Sequence, residues 1–429
     1  NLTGVLPTTS AVASGTLANG QTVIIQSDGT VAGVATVGIA QTVGLTTVFE
    51  SGTTNYVSAV YDSTNEKVVV VYEDSDHSGR GKAVVGTVTG TGITFSSPVN
   101  FDTGETRNII ATYDSTNGKV VIAYTQDSNS DYGVAIVGTV SGTSISFGTA
   151  AAFKTSAIYT KSITFAGNGK VVIAYQDGSN SNYGTAVVGT VSGNSISFGS
   201  ATVFESGTTN YISAVYDSSN DKVVIAYGDA DNSNYGTAVV GTVSGTSISF
   251  GTPVVFESAN ATDYVSATFD STNNKVIIGY MDGGNSSYGT AIVGTVSGTS
   301  ISFGTAAVFE SAATRWISPT HDSSTNKIVI AYRDSGNSNY GTAVVGTVSG
   351  TSISFGTPFV FNSDGTTTYV SATYDSTNEK VVIAYKDSTN SGVGESLVFR
   401  NASVSTNLTS TNFLGFSNAA YSDGDTATI

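Results

Sequence analysis

The chain is built from short apolar segments that are separated by turns rich in Gly, Asn, Asp and Ser. Residues 211–258 show the order of the segments: YISAVYD, KVVIAY, YGTAVVGTV, SISFG and TPVVFES. Each segment is rich in Val, Ile, Thr, Tyr and Phe, which is typical of β-strands. The pattern predicts four strands in this stretch and leaves no room for a helix.

The same pattern recurs along most of the chain, and its central glycines lie 51 to 53 residues apart: Gly86, Gly138, Gly189, Gly241, Gly294 and Gly346. A period of this size indicates a solenoid, a propeller or an array, and four-stranded units favour a β-propeller. Seven first strands are predicted, at 56–62, 108–114, 160–166, 211–217, 264–270, 316–322 and 369–375. The sequence therefore predicts an all-β protein with seven four-stranded blades.

The two ends of the repeat region complement each other. The seventh copy lacks the SISFGTPVVF segment, whereas residues 41–51, QTVGLTTVFES, align with that segment and precede the first repeat. We expect the strand at 43–49 to pair with 394–400, so that the N-terminal strand completes the last blade and closes the ring. Closure would remove two exposed sheet edges. The predicted propeller spans 41–402.

The flanking segments are predicted to be small β modules. Residues 1–40 contain Asn-Gly and Asp-Gly turns between short apolar segments, which is a strong hairpin signal. The C-terminal segment 403–429 echoes this stretch, since Asn19, Gly20 and Thr22 correspond to Asp423, Gly424 and Thr426. We expect 403–429 to begin a second module that continues beyond Ile429.

Composition excludes several classes of protein. The net charge of −16 disfavours nucleic-acid binding, because such a surface repels phosphate. No apolar run approaches 18 residues, so no membrane insertion is expected. The chain has no cysteine, which excludes disulfides and thiolate metal sites and fits an extracellular protein.

The repeats differ mainly along one predicted rim of the propeller. The loops of the other rim barely change, whereas the starts of the first strands and the ends of the second strands vary. Aromatic rings with polar partners suit a sugar. The candidate ligand-binding residues are Tyr56, Arg107, Tyr159, Tyr211, Asp263, Tyr264, Arg315, Trp316, Arg333 and Tyr369. Two alternatives stay open: these rings cover the cores between blades, or the variation is neutral.

No catalytic or metal-binding motif is present, so neither an enzyme nor a cofactor is expected. The candidate carboxylates Glu105 and Asp263 lie three predicted blades apart, whereas a glycosidase needs two carboxylates about 5 to 10 Å apart. Residues 229–234 and 74–78 loosely resemble calcium loops, but their spacing departs from the calcium-binding pattern. Turn formation is the simpler interpretation of these acids.

The repeat unit, YDSTNEKVVIAY followed by NSNYGTAVVGTVSGTSISFGTPVVF, resembles repeats of virion and tail-fibre-type proteins of marine bacteriophages. The resemblance covers about 41–429 and implies a location on the virion surface or outside the cell. The implied partners are a host cell-surface glycan, other virion proteins and further copies of this chain. The alternatives are a purely structural virion spacer or extracellular filament subunit, and a glycan-cleaving enzyme.

Overall fold

The computed structural model of the chain describes residues 10–258, 262–406, 408, 412–417 and 419–429. The described residues form antiparallel β-sheets, with no α-helix and four single-turn 3₁₀ helices at Ser75–His77, Asp127–Asn129, Ala230–Asn232 and Gly283–Asn285. None of the helices in these ranges is long and apolar enough to cross a membrane. The predicted all-β class is confirmed. The chain divides into two compact units, Thr42–Arg400 and a unit that combines Asn1–Gln41 with Asn401–Ile429.

The unit Thr42–Arg400 contains seven antiparallel sheets, which we number 1 to 7 in the order of their central strands. Their second strands are Lys67–Asp74, Lys119–Gln126, Lys170–Asp177, Lys222–Asp229, Lys275–Asp282, Lys327–Asp334 and Lys380–Asp387. Their third strands are Arg80–Thr89, Tyr132–Ser141, Tyr183–Ser192, Tyr235–Ser244, Tyr288–Ser297, Tyr340–Ser349 and Val393–Arg400.

The first strands connect one sheet to the next. In sheets 1, 5 and 7 they are separate elements, Thr54–Asp62, Thr262–Asp270 and Thr367–Asp375. In sheets 2, 3, 4 and 6 the first strand is the second half of a long strand that starts at the outer edge of the preceding sheet. These long strands are Val99–Asp114, Ala151–Phe165, Thr202–Asp217 and Ala307–Asp322.

The outer edge of each sheet consists of two short segments that pair with the two halves of the third strand. The remaining segments are Gly92–Phe95, Ser144–Phe147, Ser195–Phe198, Ser247–Phe250, Val254–Glu257, Ser300–Phe303, Ser352–Phe355, Phe359–Asn362, Thr42–Val43 and Thr47–Glu50. In sheet 4 the ring of Phe256 on the outer segment lies against Gly236 of the third strand. A Cβ atom at Gly236 would lie 2.4 Å from this ring, so only glycine fits there.

The outer edge of sheet 7 comes from the start of the unit. Glu50, Val48 and Thr47 pair with Gly394, Glu395 and Ser396, and Val43 pairs with Phe399. The predicted pairing of 43–49 with 394–400 is therefore confirmed. Consequently the third strand of sheet 7 does not present an open edge along these residues.

Hydrogen bonds from backbone to hydroxyl link the first strands of neighbouring sheets. A serine near the start of the first strand accepts a hydrogen bond from a backbone N–H of the next sheet in five of the seven sheets. The bonds run to Ser58 from Ala111, to Ser162 from Ala214, to Ser213 from Ala267, to Ser318 from Ala372 and to Ser371 from Ala59. The last bond joins sheet 7 to sheet 1. Two cases fail for visible chemical reasons, since Ile110 has no hydroxyl and Pro319 has no N–H.

The cores lie between neighbouring sheets. The second strands are almost entirely Val, Ile and Ala, and each carries a fully buried tyrosine near its end: Tyr72, Tyr124, Tyr175, Tyr227, Tyr280, Tyr332 and Tyr385. These strands are buried on both faces, which explains their continuous apolar sequence. The seven second strands are therefore the central layer of the unit.

In six of the seven sheets the loop between the first and second strands is held by the same aspartate turn, whereas sheet 3 has Ala166 at this position. In sheet 1, Asp62 accepts hydrogen bonds from the backbone N–H groups of Thr64 and Asn65, each at 3.0 Å. An aspartate that caps its own turn in this way is a common solution to turn geometry. The uniformity of these loops follows from turn chemistry.

The second unit is made by strands from both termini. Ser10–Val12 pairs with Thr426–Thr428, Thr22–Ile25 pairs with both Val31–Gly33 and Phe413–Phe416, and Thr36–Ile39 pairs with Ser403–Thr406. Leu17, Val23, Val31 and Ala427 form its buried core. This arrangement differs from the two separate modules expected from the sequence, because the two segments supply edges for each other.

Candidate functional site

A cavity of about 540 Å³ is lined by residues from the first strands of all seven sheets. The lining residues are Tyr56, Asn108, Ile110, Ser162, Tyr211, Ile212, Ser213, Tyr264, Val265, Ser266, Trp316, Ile317, Tyr369 and Val370. The volume lies within the range of about 300 to 1,000 Å³ that is typical of small-molecule sites. Five of the predicted site residues therefore share one cavity: Trp316 and four of the five predicted tyrosines, Tyr56, Tyr211, Tyr264 and Tyr369.

An irregularity at the start of each first strand turns these residues into the cavity. The pairing register with the second strand shifts between residues such as Asn55 and Ser58, and the same shift occurs in all seven sheets. Within the shift the backbone adopts a left-handed conformation, with φ between 49° and 54°, at Tyr56, Asn108, Tyr211, Tyr264, Trp316 and Tyr369. Such angles are rare for bulky side chains and cost of order 1 to 2 kcal/mol each.

Five of these side chains form a continuous series of ring contacts, which we call the aromatic arc. In order around the cavity, the centroid distances are 5.2 Å between Tyr56 and Tyr369, 4.4 Å between Tyr369 and Trp316, 5.8 Å between Trp316 and Tyr264, and 5.1 Å between Tyr264 and Tyr211. All five rings are half-buried. The arc is interrupted at sheets 2 and 3, where the corresponding residues are Asn108 and Thr160.

Phenol hydroxyls of the arc are available as donors. Burial raises the pKa of Tyr56 and Tyr211, and it raises the pKa of Tyr369 to about 12. These three hydroxyls are therefore protonated at neutral pH. In the described part of the chain they make no hydrogen bond to another residue, so they can donate to a ligand.

Around the cavity, the two sets of variable residues found in the sequence lie directly opposite each other across the first and second strands. The opposed pairs are Asn55–Glu73, Arg107–Thr125, Tyr159–Gln176, Asn210–Gly228, Asp263–Met281, Arg315–Arg333 and Thr368–Lys386. Each sheet thus has one variable pair, whose first-strand member directly precedes the residue within the register shift. We call these pairs the border; none of their residues lines the cavity.

The predicted charged residues differ in their surroundings. Arg107 is exposed and forms ion pairs with Glu105 at 2.8 Å and Asp127 at 3.3 Å. Burial raises the pKa of Asp263. Arg315 lies with its guanidinium carbon 6.0 Å from the centre of the Tyr264 ring.

Tyr159 is the predicted site residue that stands apart. It occupies the position before the left-handed residue, is 47% exposed and does not line the cavity. Its equivalents in other sheets are Asn55 and Asn210, which belong to the border rather than to the arc. The repeats already align Thr160, not Tyr159, with Tyr56, but the sequence could not show that the preceding position lies outside the cavity.

Lys161 is a buried residue at this site that the sequence analysis did not single out. It stands where the other repeats have Val57, Ile109, Ile212, Val265, Ile317 and Val370, and it lines a second cavity of about 210 Å³ beside Asn108. Its ammonium group donates to the backbone oxygen of Asn108 and, at 3.3 Å, to Thr125 Oγ1. Burial lowers its pKa well below the ordinary value. The signal available in the sequence was a lysine at a position that is aliphatic in the other six repeats.

The loops considered for calcium are hydrogen-bonded internally. Asp229 caps a 3₁₀ helix by accepting from Asn232 N at 3.2 Å, and Asp74 accepts from Asp76 N at 3.1 Å. Among the described residues, no cluster of three or more His, Cys, Asp or Glu side chains is arranged to hold a metal ion. These aspartates are accounted for by turn formation.

The architecture defined by these elements is an all-β unit of seven antiparallel sheets whose first strands line one cavity. No protein-family model matches the chain, and no curated protein matches its sequence. Among solved structures, the chain is similar to the BP39L lectin from Burkholderia pseudomallei, with a TM-score of 0.58 and 9% identity over 81% of this chain and 96% of that one. AofleA from Arthrobotrys oligospora aligns over the same shares with 12% identity and a TM-score of 0.46. At these identities the likeness concerns the fold alone.

Proposed function

We propose that the protein is a non-catalytic carbohydrate-binding protein that holds sugar residues against the aromatic arc at the mouth of the central cavity. The observation that carries the proposal is the arc itself: five half-buried rings are held in a strained backbone conformation and line one cavity of about 540 Å³. Observed strain of this kind clusters at functional sites.

In this proposal the seven sheets are the blades of a seven-bladed β-propeller. The hydrogen bonds between neighbouring first strands, including the bond from Ala59 N to Ser371 Oγ, support a ring. The shared cavity and the pairing of Thr47 with Ser396 support it as well. The likeness in fold to the BP39L lectin, with a TM-score of 0.58 over 96% of that chain, supports carbohydrate binding, because that protein is named as a lectin.

The chemistry of the arc suits a sugar. The apolar C–H faces of a pyranose stack on aromatic rings, and its hydroxyls take polar partners such as the phenol groups of Tyr56 and Tyr369. A shallow site of this kind binds with a Kd of about 1 mM, or about −4 kcal/mol. Multiple copies on one particle would raise the apparent affinity by about 10²- to 10⁴-fold. Weak sites therefore fit a protein that is displayed in several copies.

Binding is favoured over cleavage by the state of the acids at the border. Glu73 has the character of an acid catalyst, because burial raises its pKa and the charge of Glu105 raises it further. However, Glu73 is only 8% exposed and accepts a hydrogen bond from Ser75 at 3.0 Å. Glu105 is held by Arg107. Neither carboxylate is presented to the cavity as a glycosidase mechanism requires.

The resemblance of the repeats to virion and tail-fibre-type proteins extends the proposal to a biological setting. We propose host cell-surface glycans as the first ligands to test and a particle surface as the setting, with the chain acting in several copies. A purely structural spacer makes the opposite prediction, namely that the arc binds no glycan.

The test is a glycan array probed with the chain coupled to beads, so that weak sites act together. Wild type is expected to bind, and Trp316→Ala and Tyr211→Ala are each expected to weaken binding by about 10-fold through loss of one stacking ring. The matched control is Tyr216→Ala, because Tyr216 lies on the same strand as Tyr211, is also half-buried, and bonds to Asp221 instead of lining the cavity. Failure of wild type to bind any glycan, or equal losses in Tyr211→Ala and Tyr216→Ala, would overturn the proposal.

A further inference from the structure

Two arginines at the border of the cavity have no acidic partner. Arg315 and Arg333 are directly opposed on the first and second strands of sheet 6. Like charges in this relation repel each other and destabilise a sheet. Within the described ranges neither guanidinium donates a hydrogen bond or forms an ion pair, and the Nε of Arg333 is buried without a partner. The pair is therefore unusual in a chain with a net charge of −16.

The surrounding groups compensate these charges only in part. Burial lowers the pKa of Arg333, and the charge of Arg315 lowers it further. Asp263 on sheet 5 is close enough to Arg315 for the arginine to act on its pKa, yet burial dominates and raises that pKa, and no ion pair forms between them. Lys386 on sheet 7 adds a third cation near the arc, where it donates to Asn55 Oδ1 at 2.8 Å. This side of the border is electropositive.

The position of the pair relates it to the aromatic arc. Arg315 immediately precedes Trp316, and its guanidinium lies over Tyr264, the next ring of the arc. A sugar stacked on Trp316 would therefore present a ring substituent to the two guanidinium groups. Arginine is suited to this task, since its planar fork binds a carboxylate or sulfate oxygen pair through two parallel hydrogen bonds.

We infer that Arg315 and Arg333 form an anion subsite, so that the ligand is a glycan whose sugars carry an oxyanion, either the carboxylate of a uronic acid or a sulfate ester. The inference rests on the proposed carbohydrate binding and names the class of sugar. The anionic substituent supplies the charge that the protein itself lacks at this point, and it relieves the repulsion between the two arginines.

The experiment compares matched pairs of oligosaccharides on the bead-coupled chain: oligogalacturonate against the corresponding galactose oligomer, and a sulfated galactan fragment against its desulfated form. Wild type is expected to prefer at least one acidic member by about 10-fold or more, because hydrogen bonds between charged groups are about twice as strong as neutral ones. The preference should shrink between 50 mM and 500 mM salt. The arm that shows the preference identifies the oxyanion.

Variants separate the subsite from the rest of the site. Arg315→Gln combined with Arg333→Gln should abolish the acidic preference and keep binding of neutral sugar, whereas Trp316→Ala should weaken both. Arg80→Gln is the control for loss of an arginine charge, since Arg80 is exposed at the start of the third strand of sheet 1 and belongs neither to the border nor to the cavity lining. It should keep the full preference.

Two outcomes would overturn the inference while leaving carbohydrate binding intact. One is that wild type binds acidic and neutral members equally, and the other is that Arg80→Gln loses the preference as completely as the double variant. Absence of binding to every sugar would instead refute the proposed function. Thermal unfolding of the double variant serves as the check on folding, and its midpoint should not fall, because a repulsive pair has been removed.

Discussion

The buried tyrosines of the second strands provide a test of how hydrogen bonding stabilises this fold. In sheet 4, Tyr227 donates to Glu205 at 2.9 Å, and its ring packs on Phe204 with a centroid distance of 5.3 Å. In sheet 3, Tyr175 packs in the same way on Phe153 at 5.4 Å, but its hydroxyl is buried without a partner. Lys154 follows Phe153 at the position where Glu205 follows Phe204, and it forms an ion pair with Asp177 and none with the tyrosine hydroxyl. The two sites therefore differ in one hydrogen bond.

Replacing each tyrosine by phenylalanine should give opposite results. A hydrogen bond to a charged group contributes about 1.5 to 3 kcal/mol, and part of this is recovered because half-buried Glu205 can turn to water, so Tyr227→Phe should destabilise by about 1 to 2 kcal/mol. Tyr175→Phe removes a buried hydroxyl that has no partner. It should be neutral or should stabilise by up to about 1 kcal/mol, because the desolvation penalty disappears.

The assay is equilibrium unfolding in guanidinium chloride followed by the fluorescence of Trp316, which is the single tryptophan of the chain and lies in sheet 6. The difference in midpoint, multiplied by a common slope, gives the change in the free energy of unfolding. If Tyr175→Phe destabilises as much as Tyr227→Phe, the tyrosines stabilise through the packing of their rings and the hydrogen-bond argument is refuted.

Two further predictions concern the cavity and the closing strand. Lys161→Met should flatten the pH dependence of stability between about pH 7 and 9.5. Burial lowers the pKa of Lys161, so the unfolded chain binds more protons than the folded chain and wild type gains stability as pH rises. Urea midpoints across this range measure the effect, and an unchanged slope would show that the lysine is not buried. Thr47→Cys with Ser396→Cys should form a disulfide in this cysteine-free chain, seen as a mobility shift on a non-reducing gel, because the two residues are opposed in register. Val48→Cys with Ser396→Cys is the control, since neighbouring residues of a strand point to opposite faces; a crosslink in the control alone would disprove the register.

Much of the fold was predictable because the same pattern of strands and turns recurs in seven copies along the chain. The strands were predicted from apolar segments and turns, and the pairing of the first outer segment with the seventh sheet followed from a segment missing at one end and present at the other. The terminal unit was harder. Its strands are three or four residues long. Nothing in their sequence pattern distinguishes a strand that pairs within a separate module from one that pairs with the opposite terminus.

The candidate site was predictable only in part. Variation among the repeats pointed to Tyr56, Tyr264 and Trp316, but it could not show that the residues of the arc line the cavity whereas those of the border do not. That distinction depends on the register shift at the start of each first strand, which no residue type marks. Lys161 was missed because the comparison of the repeats covered the residue pairs that enter the first strands, whereas this lysine occupies the next position, which is aliphatic in the other repeats.

The left-handed backbone of the arc bears on whether the rings have a role beyond packing. The φ angle is nearly the same for Tyr56, Asn108 and Trp316, so the register shift imposes it whatever the side chain. Five bulky residues at a cost of about 1 to 2 kcal/mol each amount to about 5 to 10 kcal/mol, which is comparable to the stability of a whole domain. Four ring contacts at about 0.5 to 1.5 kcal/mol each return about 2 to 6 kcal/mol. Glycine would adopt this conformation without strain, and asparagine already does so with less. The five rings also pack on the cores between the sheets, and this burial stabilises the fold in addition to the ring contacts, so aromatic residues at these positions serve packing and, in the proposed function, stacking on a ligand.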